Sequence, residues 1–161
     1  MEPDKSWLLA LDLSTRQGEL VLDGPGGNFH REIAGDSRVS HLFPAAHEIM
    51  SDAGVGPREV GLIGVGRGPG SFTGVRVAVT AAKIIAAVRD IPLVAPDTLM
   101  VMAAGAEGTG KPVFTALDAR RGEVYYALYR MEDGYPVAIT EPCVASPHVA
   151  AASLSSWMDM E

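Results

Sequence analysis

The chain carries the same three residues at two strand-like ends: Ala-Leu-Asp at 10–12, within LALDLST, and again at 116–118, within FTALDAR. Each closes an apolar run, and each opens the same series. The first half reads WLLALDLS (7–14), ELVLD (19–23) and NFHREI (28–33) as strands, with GPGG (24–27) as a hairpin-type breaker. A helical pattern follows over about 40–53, with Leu42, Ala45, Ala46, Ile49 and Ala53 at spacings of three and four. Pro44 in that stretch is tolerated only in a first turn. After the linker-like GAEGTGKP (105–112), the second half gives VFTALDA (113–119), a tight turn at RRGE, VYYALYRM (124–131), an extended piece near 137–145 and a helix around 147–158. A chain that starts the same series twice folds as two related lobes.

The first lobe goes further than the second. VGLIGV (60–65) is a buried strand, a glycine-rich loop follows, a helix spans about 71–89, and IPLV (91–94) with a short helix near 98–104 completes the half. WLLALDLS is apolar almost throughout, as a strand covered on both faces is. The expected fold is α/β, with a complete first lobe (βββαβα, residues 1–106) and a truncated second lobe (βββα, residues 107–161). That order is the arrangement of ribonuclease-H-like and actin-like ATPase domains, and it says nothing yet about activity.

The loop GVGRGPGSFTG (64–74) admits two readings. Free amides at a helix start, beside Arg67 and Arg76, suit an anion, with Gly66, Arg67, Gly68, Pro69, Gly70, Ser71, Thr73 and Gly74 as its cradle and Ser71 as N-cap. The other reading is a tight strand-to-helix turn that lets the helix lie close to the sheet. No Lys-Ser or Lys-Thr follows the last glycine, and the dinucleotide spacing is missing. Residue chemistry favours packing. The helix itself is Val, Ala or Ile from Val75 to Val88 except for Arg76, Thr80 and Lys83. A helix on one side of a sheet needs only part of its circumference apolar, so a second apolar stripe is left for a partner protein. The competing reading is that the helix at 40–53 and the second lobe cover it.

Catalytic readings find little. A two-metal nuclease needs a third carboxylate where GVGRG places Arg67. His41 and His47 stand six apart and share no helical face, and His30 and His148 are remote in sequence, so no metal set is expected. Asp12 and Asp118 occupy the points where an actin-like ATPase holds its nucleotide, but the residues after them are bulky, without phosphate-admitting glycines. Cys143 and Ser71 lack a neighbouring histidine in sequence. With 161 residues, net charge −7 and one cysteine, no general footprint for nucleic acid and no disulfide are expected. The acidic N-terminus lacks a signal-peptide pattern, and the Val77–Val88 run is too short and polar to span a bilayer, so a soluble cytoplasmic protein is expected.

GRGPGSFTGVRV (66–77), DTLMVMAAGA (97–106), LDARRGEVYYALY (117–129) and LALDLST together resemble the TsaB (YeaZ-type) family over about residues 6–131. The resemblance implies an actin-like (ASKHA) fold and a non-catalytic subunit of the machinery that makes threonylcarbamoyladenosine (t6A) in tRNA. It implies pairing with a TsaD-like catalytic subunit through the first-lobe helices, a TsaE-like ATPase as third member, and a homodimer through the same face when alone. ATP and threonylcarbamoyl adenylate are expected on those partners, with no cofactor on this chain, tRNA touched only indirectly, and no membrane. The expected interface is Leu42, Ala46, Met50, Val75, Val79, Ala82, Lys83 and Ala86. Asp118, Arg120 and Glu123 either contact a partner or pin a hairpin. The alternative is an enzyme acting alone, a nucleotide-binding ASKHA protein or a glycoprotease-like peptidase. Two departures stand out: Arg38 occupies the place of a family histidine, with His41 displaced by three, and the family usually runs past 200 residues.

Overall fold

The computed structural model describes residues 6–33, 38–106 and 111–158, arranged as two compact units. The first comprises residues up to Arg67 together with Ser71–Pro96. Its strands are β1 (Trp7–Asp12), β2 (Gly18–Gly24), β3 (Gly27–Ile33), β4 (Val60–Val65) and β5 (Leu93–Val94). They form one sheet in the order β3-β2-β1-β4-β5, antiparallel across β1, β2 and β3 and parallel from β1 to β4 to β5. Helices α1 (Arg38–Asp52) and α2 (Phe72–Arg89) pack on it, α1 over β2 and β3, α2 over β1 and β4.

Alternation fixes which face is closed. Leu9, Leu11, Leu20, Leu22, Ile63 and Val65 are buried against Leu42, Ile49, Ala78 and Ala82 of the helices. Fully burying such a side chain contributes about 1.5–3 kcal/mol. The alternate residues of β1, Leu8, Ala10 and Asp12, are only half-buried. Full cover on both faces, read from the unbroken apolar run, is therefore not what β1 shows.

Local chemistry sets the helix ends. Ser71 caps α2, its Oγ accepting the Gly74 amide at 3.3 Å. Asp90 closes it in the left-handed conformation (φ 54°), just before Pro92. In α1 the expected limit on proline fails. Pro44 is the seventh helical residue, inside the helix and past its first turn.

The second unit comprises Gly68–Gly70 and the chain from Asp97 onward. Its strands β6 (Val113–Arg120), β7 (Glu123–Glu132), β8 (Tyr135–Ala138) and β9 (Cys143–Ala145) form an antiparallel sheet, with α3 (Thr98–Ala104) and α4 (Pro147–Met158) packed on it. The extended piece read near 137–145 is two strands on one edge of β7: β8 beside Tyr129–Glu132 and β9 beside Val124–Tyr126. The break has a cause. The Leu128 amide donates to Thr140 Oγ1 at 3.0 Å, and the Leu128 carbonyl accepts from Ile139 and Thr140. A threonine side chain thus takes the ladder position at Leu128.

Helix α3 differs from the sequence division at 106. Leu99 and Ala103 are buried with Ala127 and Tyr129 of β7. Asp97 fixes the helix start, accepting the Met100 amide at 2.7 Å and the Tyr129 hydroxyl at 2.8 Å through the same oxygen. The helix belongs with the second sheet because that sheet buries its apolar side. The middle of the expected linker, 107–110, lies outside the described residues, as does the N-terminal stretch 1–5 on which the signal-peptide reading rests.

Candidate functional site

Two places in the first unit draw together the residues singled out from sequence: the end of β1 and the outer side of α1 and α2.

At the end of β1 the glycines serve close packing. The Gly66 amide donates to Leu11 at 3.0 Å, and the Asp12 carboxylate lies over the Gly66 α-carbon, where a Cβ would collide with it. A Cβ on Gly74 would overlap the Leu13 carbonyl, so the first turn of α2 sits directly on β1's continuation. The Ser71 amide donates to Ser14 at 2.6 Å, and Val75 donates back to Ser71 at 2.8 Å. The amides of Ser71, Gly74 and Val75 are thus committed within the protein. Arg67 holds its place by its backbone, donating to the Pro96 carbonyl at 3.0 Å, while its side chain and that of Thr73 are exposed. Gly68, Pro69 and Gly70 belong to the second unit, where the Gly68 carbonyl accepts the Thr98 amide at 2.8 Å. Gly68 has φ 88°, a conformation that favours glycine.

Asp12 and Asp118 repeat a local bond as well as a sequence. Asp12 Oδ1 accepts the Ser14 amide at 2.6 Å, and Asp118 Oδ1 accepts the Arg120 amide at 2.8 Å. Each carboxylate receives the amide two residues on, the bond by which an aspartate shapes the turn after a strand. Around Asp118 the turn is tight. Arg120, Arg121 and Gly122 all have positive φ (70°, 54° and 79°), and Arg120 pairs with Glu123 across the hairpin. Paired positive φ at Arg121 and Gly122 gives the primed turn that matches strand twist.

The outer side of α1 and α2 forms a groove of about 380 Å³, lined by Leu42, Phe43, Thr73, Arg76, Val77, Thr80, Ala81 and Ile84. Of its lining, Phe43 and Ile84 are open to solvent, 57% and 56% exposed, and Phe72 and Val88, four residues beyond Arg76 and Ile84 along α2, are 74% and 79% exposed. Phe72, Arg76, Thr80, Ile84 and Val88 run along α2 at intervals of four, one continuous stripe, with the Arg76 guanidinium over the Phe72 ring at 5.1 Å. The expected contact set needs correction here. Leu42, Ala46, Ala82 and Ala86 lie in the core, and Met50, Val75 and Val79 are half-buried; of that set only Lys83 is exposed. Gly74, Ala78, Ala82 and Ala86 are buried and let the helix approach the sheet, Val77, Val79 and Ile85 pack partly against the core, and Phe72, Ile84 and Val88 are exposed. Arg76, Thr80 and Lys83 mark the outer side of α2, and Phe72, Ile84 and Val88 share that side with them, whereas the sequence reading places the free apolar stripe away from the polar one.

Among the described residues no three His, Cys, Asp or Glu side chains converge as a metal set, and no helix is long and apolar enough to cross a membrane. His30 stands 3.9 Å from Glu19, both well exposed. Cys143 is exposed, its thiol near the Glu141 carbonyl.

A mixed sheet in this order with two covering helices, followed by a second unit that starts the same way, defines an α/β protein of the actin-like, ribonuclease-H-like class. The sequence profile described as "TsaD: tRNA N6-adenosine threonylcarbamoyltransferase" matches residues 21–153. The TsaB proteins of Escherichia coli and Bacillus subtilis, each named a tRNA threonylcarbamoyladenosine biosynthesis protein, are 34% and 38% identical over 78% and 73% of this chain. The solved structure of YeaZ from Pseudomonas aeruginosa superposes with a TM-score of 0.81 at 32% identity, over 88% of this chain and 68% of that one. The chain belongs to the TsaD family, in its TsaB (YeaZ-type) branch. It spans about half the length of the curated relatives it matches, 56% and 48% of the two named.

Proposed function

We propose that this chain is a non-catalytic scaffold subunit for t6A formation in tRNA, docking a TsaD-like catalytic subunit on the outer side of α1 and α2. The observation that carries the reading is the open apolar groove lined by Phe43 and Ile84, continued along α2 by the exposed Phe72 and Val88. A contiguous surface of this kind, with aromatic anchors and one arginine, fits a protein partner better than a small polar substrate. The names of the relatives supply the pathway, and the branch supplies the partner's class. ATP and threonylcarbamoyl adenylate belong to the partner subunits on this reading, a TsaE-like ATPase joins the complex, and tRNA meets this chain only indirectly. The work is cytoplasmic, and without the partner the same face joins two copies.

The test replaces Ile84 with Glu. The site is exposed, so the variant folds normally by circular dichroism, fails to co-elute with the TsaD-like subunit, and does not restore t6A to tRNA in a strain lacking the gene. Full co-elution and normal t6A in that strain would refute the docking assignment.

A further inference from the structure

The groove between α1 and α2 is lined by one charged side chain, Arg76, among apolar residues and two threonines. Arg76 is exposed, with its guanidinium over the Phe72 ring at 5.1 Å, a cation–π contact that holds it in place without neutralising it. Nothing near it supplies the opposite charge. Helix α2 has no Asp or Glu, and the two acids of α1 are engaged elsewhere. Asp52 pairs with Arg31 of β3, and Glu48 lines a separate hollow against β3 with Glu32 and His41. Among the described residues no carboxylate stands within ion-pair distance of Arg76. A chain of net charge −7 thus keeps a free cation inside the groove its fold leaves open.

That charge restricts what can cover the groove. A wholly apolar surface laid over it would strip water from the guanidinium and return nothing, which is strongly unfavourable. A carboxylate offers a planar pair of acceptors that matches the guanidinium fork. Thr73 and Thr80, three and four residues to either side of Arg76 along α2, bring hydroxyls to the same wall of the groove. Nucleic acid is a poorer match, since its row of phosphates calls for several cations and this chain is acidic overall. A second copy is poorer too. The lining contains no carboxylate, so two copies laid groove to groove bring a second Arg76 in place of an acid.

We propose that the surface of the TsaD-like partner that enters this groove carries an Asp or Glu side chain set among apolar ones, and that this carboxylate pairs with Arg76 as the groove is covered. The apolar lining supplies the contact area, and the ion pair supplies the choice of partner. A chain that brings the acid is accepted, and one that brings another cation, a second copy included, is held less tightly. The inference rests on the docking reading above and adds to it the chemistry the partner must present.

The test measures the affinity of the full chain for its TsaD-like subunit by calorimetry, and self-association by sedimentation velocity. Arg76→Met removes the charge at an exposed position, so its circular dichroism matches the parent. It binds the partner roughly thirtyfold or more weakly, because the partner's carboxylate is left covered and unpaired, while self-association is not weakened. Neutralising the partner's carboxylates one at a time, Asp→Asn or Glu→Gln, finds one whose loss adds little to that of Arg76→Met, the mark of a direct pair. Partner affinity unchanged or raised in Arg76→Met overturns the proposal. So does an equal loss in partner binding and self-association, which makes Arg76 a packing residue, or a scan in which every carboxylate is additive with it. In those cases Ile84→Glu still abolishes co-elution and the docking reading stands. If Ile84→Glu leaves co-elution intact, that reading fails and this inference falls with it.

Discussion

Replacing Gly74 with alanine sets helix propensity against packing, and the structure decides the sign. Gly74 is the third residue of α2, where alanine in an exposed helix gains about 1 kcal/mol. Here the added Cβ would overlap the Leu13 carbonyl oxygen, far inside the 3.0 Å limit of real Cβ contacts, and would stand 2.9 Å from the Leu13 carbonyl carbon. Both atoms are backbone, at the end of the central strand, so neither can swing aside. The first turn of α2 must retreat by about an ångström. Overpacking of that kind costs about 1–3 kcal/mol. Retreat also stretches the 2.6 Å bond from the Ser71 amide to Ser14, a loss of about 1 kcal/mol. The Ser71 cap adds about another 1 kcal/mol. Setting the propensity gain against these, Gly74→Ala destabilises the first unit by about 2–4 kcal/mol, a fall in melting temperature of about 5–12 °C. Urea titration followed by far-ultraviolet circular dichroism measures it. Gly56→Ala is the control: that residue has φ −91°, and its added Cβ would meet only the Glu59 side chain at 3.5 Å. Its change stays within about 0.5 kcal/mol. A Gly74→Ala protein as stable as the parent would refute the packing account of the glycine loop.

Asp97→Ala removes the cap of α3 and the hydrogen bond from the buried Tyr129 hydroxyl, so it costs about 2–3 kcal/mol, whereas Tyr129→Phe costs about 1 kcal/mol. In the double variant the two losses fall short of additive, and simple addition in urea melts would dissolve the proposed linkage. On the packing reading of the glycine loop, in which the Ser71 amide is held by Ser14, isothermal calorimetry of the purified chain with Mg-ATP is expected to show no binding. Micromolar binding abolished by Asp12→Ala would instead establish a nucleotide site on this chain.

Much of the fold is legible in the sequence because period and punctuation agree. The α2 boundaries follow from Ser71 and from Asp90 before Pro92, and the first-unit strands from apolar runs bounded by glycine. Three features escape such reading, each for a physical reason. Pro44 sits past the first turn because the helix starts at Arg38, four residues before Leu42, the first of the periodic apolar positions. Residues 135–145 split into β8 and β9 because the Thr140 side chain enters the ladder, a choice composition does not display. Helix α3 joins the second sheet through Tyr129 and Ala127, contacts made across more than twenty intervening residues. The outer stripe of α2 is the same kind of case. Arg76, Thr80 and Lys83 point to the outer side, but Ile84 and Val88 on that side are of the same type as Val77, Val79 and Ile85 against the core, and only burial separates the two sets.

The repeated Ala-Leu-Asp takes on a structural meaning that its sequence position alone does not give. An aspartate at the end of the first strand of each unit invites a nucleotide reading, since two carboxylates in related places suggest one cleft. The bonds they make are local: each holds the amide two residues ahead, and each ends a strand by turning the chain. Asp12 also lies over Gly66, so its carboxylate is part of the packing between β1 and the end of β4. Asp118 leads into Arg120, Arg121 and Gly122, three left-handed residues that reverse the chain into β7. A side chain that sets such a turn is required by the fold whether or not any ligand binds. The repeat thus has a structural role in each unit, and the bulky outer stripe of α2 is the exposed surface that the fold does not use.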